Sequence, residues 1–289
     1  VSTAQTARAA AALVLAAAAL AGCGSEDGSG KAADARRGPS ATPPARAVQD
    51  AYGRTVAAGT AKLAVSSKVV AEGQALTAHG SGVADLKRGA SRIELTTQGT
   101  TVEQRVVDGV VYQKPSGGQR GAVPHGKTWL RIDLGRLARQ GSAGQSRVSD
   151  PAEPVRYLKD AGAGQVTRVG AQTLDGTPTT HYRVTVPLSA LTRGDAGQAR
   201  ELRRQLGRSS LPVDVWLDGR GRMRQESVRL TLHPLEGRTP GQGSSRVTST
   251  TVLRFSGFGT DARITAPPAG DTADITDRMT KSGGTTATS

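Results

Sequence analysis

Side chains able to do chemistry are few and widely spaced in this chain of 289 residues. There is one cysteine, Cys23, which follows Leu20-Ala21-Gly22. Its thiol is a nucleophile that can carry a thioether-linked diacylglyceryl group, and the small Ala21 and Gly22 leave a peptidase room at the preceding bond. With no second cysteine, no intramolecular disulfide can form. His79, His125, His181 and His233 stand on separate segments with no other ligand type at metal-binding spacing, whereas a zinc site needs three or four converging ligands. No Gly-x-Ser-x-Gly elbow, His-Glu-x-x-His pair or phosphate-cradling glycine loop occurs. Gly80-Ser81-Gly82 and Gly257-Phe258-Gly259 lack partner residues and read as strand-end flexibility. Asp214 and Asp218 read as lying near turns and solvent, where a carboxyl keeps its ordinary pKa. His181 reads as a strand-face residue paired across a sheet. These residues predict no enzyme, no metal and no cofactor.

Cys23 takes its meaning from what precedes it. From Ala9 to Leu20 the chain is all Ala, Leu and Val, with Arg8 before and small residues after. That pattern predicts a signal peptide, shorter than the span of about 20 residues a bilayer needs. Gly22, Gly24, Ser25, Glu26 and Asp27 end the apolar run abruptly. Leu-Ala-Gly-Cys resembles the bacterial lipobox, which implies a signal peptide over 1–22 and an acylated Cys23, palmitate among its chains. Two chains hold a protein stably on a membrane where one does so marginally. The expected location is the extracytoplasmic face of the cell membrane. A formal charge of +14 and a pI near 10.8 admit nucleic acid, anionic wall polymers or lipid head groups as neighbours. An exported chain does not meet nucleic acid, and much of this charge reads as solvated surface.

The elements that would position any site follow from periodicity. Residues 23–45 combine the lipidated cysteine with a Gly, Ser, Asp, Arg and Pro tether too poor in large apolar side chains to repay ordering. Val48, Tyr52 and Val56 predict a helix from Arg46 to Ala58. Beyond Gly59 the period drops to two, and the alternation predicts about eleven strands up to Thr265, the last of them Ala262 to Thr265. Asp108-Gly109, Asp175-Gly176 and Asp218-Gly219 mark hairpins, because Asp-Gly suits a type I′ turn. Two further helices are expected, one opened by Asp150-Pro151 and closed by Gly162, the other from Asp195 to Leu206. Residues 269–289 read as a disordered tail. No composition break divides 46–268, so one α+β domain is expected, its sheet strongly curved because a flat sheet of that size is rare, with helices packed into the concave side. Val65, Ile93, Leu95, Val184, Val186, Val213, Val215, Leu230 and Leu232 share one strand face and are the candidate ligand lining, with ordinary core packing as the alternative. Trp129 and Trp216 face the other way. Aromatic residues are 3% of the chain, so a lining would be aliphatic and suited to acyl chains.

Several strings carry a resemblance: Asp108-Gly109-Val110-Val111-Tyr112, Lys127 to Leu134, Pro151 to Gly162, Thr180-His181-Tyr182, and Leu211 to Asp218. Together they resemble a group of actinobacterial lipoproteins similar to the LolA/LppX/LprG-like superfamily. The resemblance covers about Arg46 to Pro268. It implies a strongly curved antiparallel sheet, a half-barrel, with helices packed in its concave face around an apolar cavity. It further implies binding or carriage of an apolar ligand such as a lipid. The alternative is a non-enzymatic envelope module that keeps a filled core and binds a protein or an anionic wall polymer through its basic surface.

Overall fold

A computed structural model of the chain describes residues 43–116, 123–124, 126–139, 153–192, 196–232 and 246–278. Helix α1 (Pro43–Ala57) comes first. Five strands follow in sequence, β1 (Thr60–Ala71), β2 (Gln74–Asp85), β3 (Ala90–Thr97), β4 (Thr100–Val107) and β5 (Val110–Pro115). Next come β6 (Trp129–Asp133), the short helix α2 (Leu134–Arg139) and the 3-10 segments η1 (Glu153–Asp160) and η2 (Ala163–Gln165). Strands β7 (Val166–Leu174) and β8 (Thr177–Pro187) lead to helices α3 (Leu188–Leu191) and α4 (Ala196–Leu206). The chain continues through β9 (Ser210–Asp218), β10 (Met223–Leu232), β11 (Val247–Ser256), the turn η3 (Ala269–Asp271) and β12 (Thr272–Asp274).

All twelve strands form one sheet in the order β12-β6-β5-β4-β3-β2-β1-β11-β10-β9-β8-β7. Every pair is antiparallel except β12 with β6, which is parallel. The β1–β11 pair joins two runs of hairpins, and each hairpin adds a strand outward from that junction. This corrects the half-barrel expectation: the sheet is open, mixed rather than purely antiparallel, and not strongly curved or closed. The strand order leaves it open, since the outermost strands β12 and β7 are not paired with each other.

The hairpins follow local chemistry. Asp108-Gly109 and Asp175-Gly176 both take positive φ (50° and 74°, 46° and 74°), the pair of angles a type I′ turn requires. Asp218-Gly219 does not act this way. There the Asp218 carboxylate accepts the backbone N–H groups of Arg220 and Arg222 at 3.0 Å and builds a longer turn.

Helices cover one face of the β7–β11 half. Ala45, Val48, Ala51 and Thr55 form the buried side of α1, each 0% exposed, while Tyr52 and Val56 flank it. Thr55 Oγ1 donates to the Ala51 carbonyl at 2.6 Å and accepts the Met223 N–H at 2.9 Å, tying α1 to β10. Leu158 of η1, Leu188 and Leu191 of α3 and Leu206 of α4 join the same core. The helix expected from Asp150 is the 3-10 segment η1; Asp150 and Pro151 lie outside the described residues.

Two further expectations are corrected. Ala262 to Thr265 is no strand but an extended segment crossing the opposite face of the sheet, where Ile264 packs with Ala90 and Val107. Residues 269–278, expected within the tail, are ordered along β6. The Asp274 carboxylate pairs with both Arg131 and Arg136, and Thr276 Oγ1 accepts the Asp133 N–H at 2.9 Å. Burial alone would raise the Asp274 carboxyl, but Thr276 and Arg131 together hold it below its usual range.

Candidate functional site

Strand register places all nine predicted lining residues on the helix-bearing face. Across the first half of the sheet, Val65 lies opposite Gly80 and Gly80 opposite Leu95, while Ile93 lies opposite Gly82. Across the second half, Val184 lies opposite Val213, Val186 opposite Leu211, and Val215 opposite Glu226. Leu230 and Leu232 continue the same parity along β10. Burial then divides the nine. Val184, Val186, Val213 and Val215 are 1%, 3%, 2% and 0% exposed, so they are filled core beneath the helices. Val65, Ile93, Leu95, Leu230 and Leu232 are only half-buried. With Leu253 and Val102, also half-buried and on the same face, they make an aliphatic lane beside the covered core.

The lane depends on two glycines. Gly80 and Gly82 sit in the middle of β2, not at a strand end as the sequence suggested. A Cβ on Gly80 would stand 2.5 Å from Leu95 Cδ2 and 2.7 Å from Val65 Cγ1, so these side chains lie down over the space a larger residue would fill. At Gly82 a Cβ would run into the Arg92 carbonyl of β3, and the close strand approach itself requires glycine.

One titratable pair interrupts the apolar face. Glu226 of β10 is 5% exposed, and its Oε1 accepts the Tyr157 hydroxyl of η1 at 2.8 Å. Burial pushes the Glu226 carboxyl up to about 7, against the opposing pull of the Tyr157 hydrogen bond. Burial and the carboxyl together push the Tyr157 phenol well above its ordinary value. Sequence reasoning missed this pair, although counting back by twos from Leu230 through Val228 places residue 226 on the lining face.

The opposite face holds a second polar cluster. His181 stacks on Trp216 with ring centroids 4.2 Å apart and 7° between planes, and its Nε2 lies 2.8 Å from Asp214 Oδ1. Trp216 Nε1 donates to Gln172 Oε1 at 2.5 Å, and Arg183 Nε donates to Asp214 Oδ1 at 3.0 Å. His181 is thus the cross-strand partner expected of it, whereas Asp214 sits mid-strand and not near a turn. Trp129 lies on this face beneath Arg105, whose guanidinium carbon is 4.6 Å from the ring centroid. Asp218, expected to be unperturbed, is buried: desolvation would raise its carboxyl, but the Arg222 guanidinium and the N–H groups of Arg222 and Arg220 hold it below its usual range. Among the described residues no group of three or more His, Cys, Asp or Glu could hold a metal ion. Among them, too, no helix is long and apolar enough to cross a membrane. Cys23, His125 and His233 lie outside the described residues.

No protein-family model matches the chain. A 31.2 kDa protein of Streptomyces griseus, encoded between rplA and rplJ, is 30% identical over 228 residues, covering 71% of this chain and 70% of its own. A Streptomyces coelicolor protein named as a candidate lipoprotein is 28% identical over 164 residues, 55% of this chain and 46% of that one. Among solved structures, LprF from Mycobacterium bovis is 14% identical, with 80% of this chain and 100% of that chain covered at a TM-score of 0.40. LppX from Mycobacterium tuberculosis is also 14% identical, with 76% and 99% covered and a TM-score of 0.40. With the Streptomyces griseus relative matched at 30% identity over more than two thirds of both chains, this chain belongs to the same family as that Streptomyces protein.

Proposed function

We propose that this is a non-enzymatic, membrane-anchored extracytoplasmic lipoprotein that binds an apolar ligand, a lipid, on the helix-bearing face of its sheet. The observation that carries the reading is the half-buried lane of Val65, Ile93, Leu95, Leu230 and Leu232 continuing directly from a filled core. Each methylene laid on such a surface contributes about 0.8 kcal/mol before association costs, so an acyl chain of about ten carbons offsets several kcal/mol of lost freedom. A wall-polymer module is less well supported. Several cations of the opposite face are already neutralised, Arg105 by Glu103 at 2.9 Å, Arg131 by Asp133 at 3.0 Å, Arg183 by Asp214 at 3.0 Å and Arg222 by Asp218 at 2.8 Å.

Native mass spectrometry of the protein purified from a bacterial host tests this reading. The expected spectrum contains an adduct of lipid mass that organic solvent removes, whereas ligand-free protein that never takes up added lipid would sink the carrier role. Attachment is a separate part of the proposal, with diacylated Cys23 as the anchor. Replacing Cys23 with Ala is expected to move the protein from the membrane fraction to the medium or to leave it unprocessed. Normal cleavage with undiminished membrane binding would contradict the anchor.

A further inference from the structure

The Tyr157–Glu226 pair stands in line with the aliphatic lane. Following one cross-strand row, Glu226 lies opposite Leu253, Leu253 opposite Val65, Val65 opposite Gly80, and Gly80 opposite Leu95. Strands lie about 4.8 Å apart, so this row runs roughly 19 Å and ends on a carboxyl group. Beside that carboxyl the neighbours are apolar, Val215 on β9 and Leu253 on β11, with Tyr157 above.

Several charged side chains on the elements packed over this face are engaged with other partners. Lys159 of η1 stands over the Tyr52 ring at 4.2 Å, Asp50 and Arg54 of α1 pair at 3.3 Å, and Glu201 of α4 pairs with Arg204. Among the described residues, burial and the Tyr157 hydroxyl are what act on Glu226. An ionised carboxylate with no cation beside it is costly in such a place, so the neutral acid is favoured. A neutral carboxyl whose Oε1 already accepts from Tyr157 still has an O–H to donate. A leucine or glutamine would fill the position without that cost. The acid gains a purpose if something on the lane accepts its proton in a hydrogen bond.

Resting on the lipid-binding reading above, we propose that the Tyr157–Glu226 pair is the polar end of the lane and selects an uncharged lipid whose ester or ketone carbonyl accepts a hydrogen bond from Glu226. An anionic head would have to shed its water beside an apolar wall with no cation to pair with. A cationic head would form an ion pair that must be stripped of water, and its Coulomb gain is offset by that penalty.

The test is displacement of diphenylhexatriene, a probe with no head group, by three ligands of equal chain length: a fatty-acid methyl ester, the fatty acid and the alkylamine. The wild type is expected to bind the ester about tenfold more tightly than the acid at pH 6, and its affinity for the ester is expected to fall about fivefold by pH 8 as Glu226 ionises and loses the O–H it donates. Glu226→Gln keeps an N–H donor and should hold ester affinity while losing the pH dependence. Glu226→Leu should weaken the ester about five- to tenfold and leave the headless probe unaffected. The proposal is overturned if Glu226→Leu binds ester and acid as the wild type does, or if the alkylamine binds tightest. Failure of the wild type to bind diphenylhexatriene at all would instead remove the lipid-binding reading on which the proposal rests.

Discussion

At the scale of single residues, Glu226 and the glycines of β2 make the sharpest predictions. The folded state holds the Glu226 carboxyl near 7, above its ordinary value of 4.5. A raised carboxyl favours the folded state where it is protonated in both states, below about 4.5, and stability falls as pH rises toward about 7, levelling off above. The decline is on the order of 3 kcal/mol. Thermal melts of Glu226→Gln should lack this decline, and a variant that keeps the wild-type pH profile would show that another group is responsible. Gly82→Ala places a methyl against the Arg92 carbonyl and should cost about 2–4 kcal/mol in denaturant unfolding; an unchanged midpoint would mean that β2 and β3 part freely. The shared face of these residues was legible at this scale, because period-two alternation puts Val65, Leu95 and Leu230 on one side whatever the sheet does next. Glu226 was overlooked for its charge, although its parity marks it as inward. The burial of Asp218 was not legible either, since its neighbours Gly219 to Arg222 look like an ordinary exposed turn.

At the scale of elements, the hairpins and α1 were readable because each rests on local chemistry, apolar period or Asp-Gly. The C-terminal segment was not. Thr272-Ala273-Asp274 carries no apolar alternation, and β12 pairs in parallel with a strand more than a hundred residues earlier, so only tertiary contact reveals it. That contact is largely ionic and half-exposed, with Asp274 bridging Arg131 and Arg136. Asp274→Ala should therefore cost only about 1 kcal/mol, allowing for solvent screening. Ending the chain at Pro268 removes the whole strand with its ladder and should lower the melting temperature by several degrees, on the order of 2 kcal/mol. A truncated protein that melts like the parent would return these residues to the status of a tail.

At the scale of the whole molecule, alternation states which residues share a face but carries no information about how far a sheet bends. The strong curvature was expected from the rarity of flat sheets of this size as well as from the resemblance, and the open twelve-strand order corrects it. What survives is a sheet whose one face carries a filled core beneath the helices and, beside it, a half-buried aliphatic lane running from β10 across to β4. Val215→Asp would probe this poorly, because a charge at a residue 0% exposed threatens folding itself. Leu95 is half-buried and Thr96 is its neighbour on the opposite face of β3, so the two offer a matched pair. The most direct measurement is the affinity of wild type, Leu95→Lys and Thr96→Lys for a fluorescent acyl probe, with circular dichroism confirming that each is folded. Saturable binding by wild type and Thr96→Lys, weakened at least tenfold in Leu95→Lys, is the predicted result. Equal affinity in all three folded proteins, or no binding by the wild type, would contradict a lipid site on the helix-bearing face.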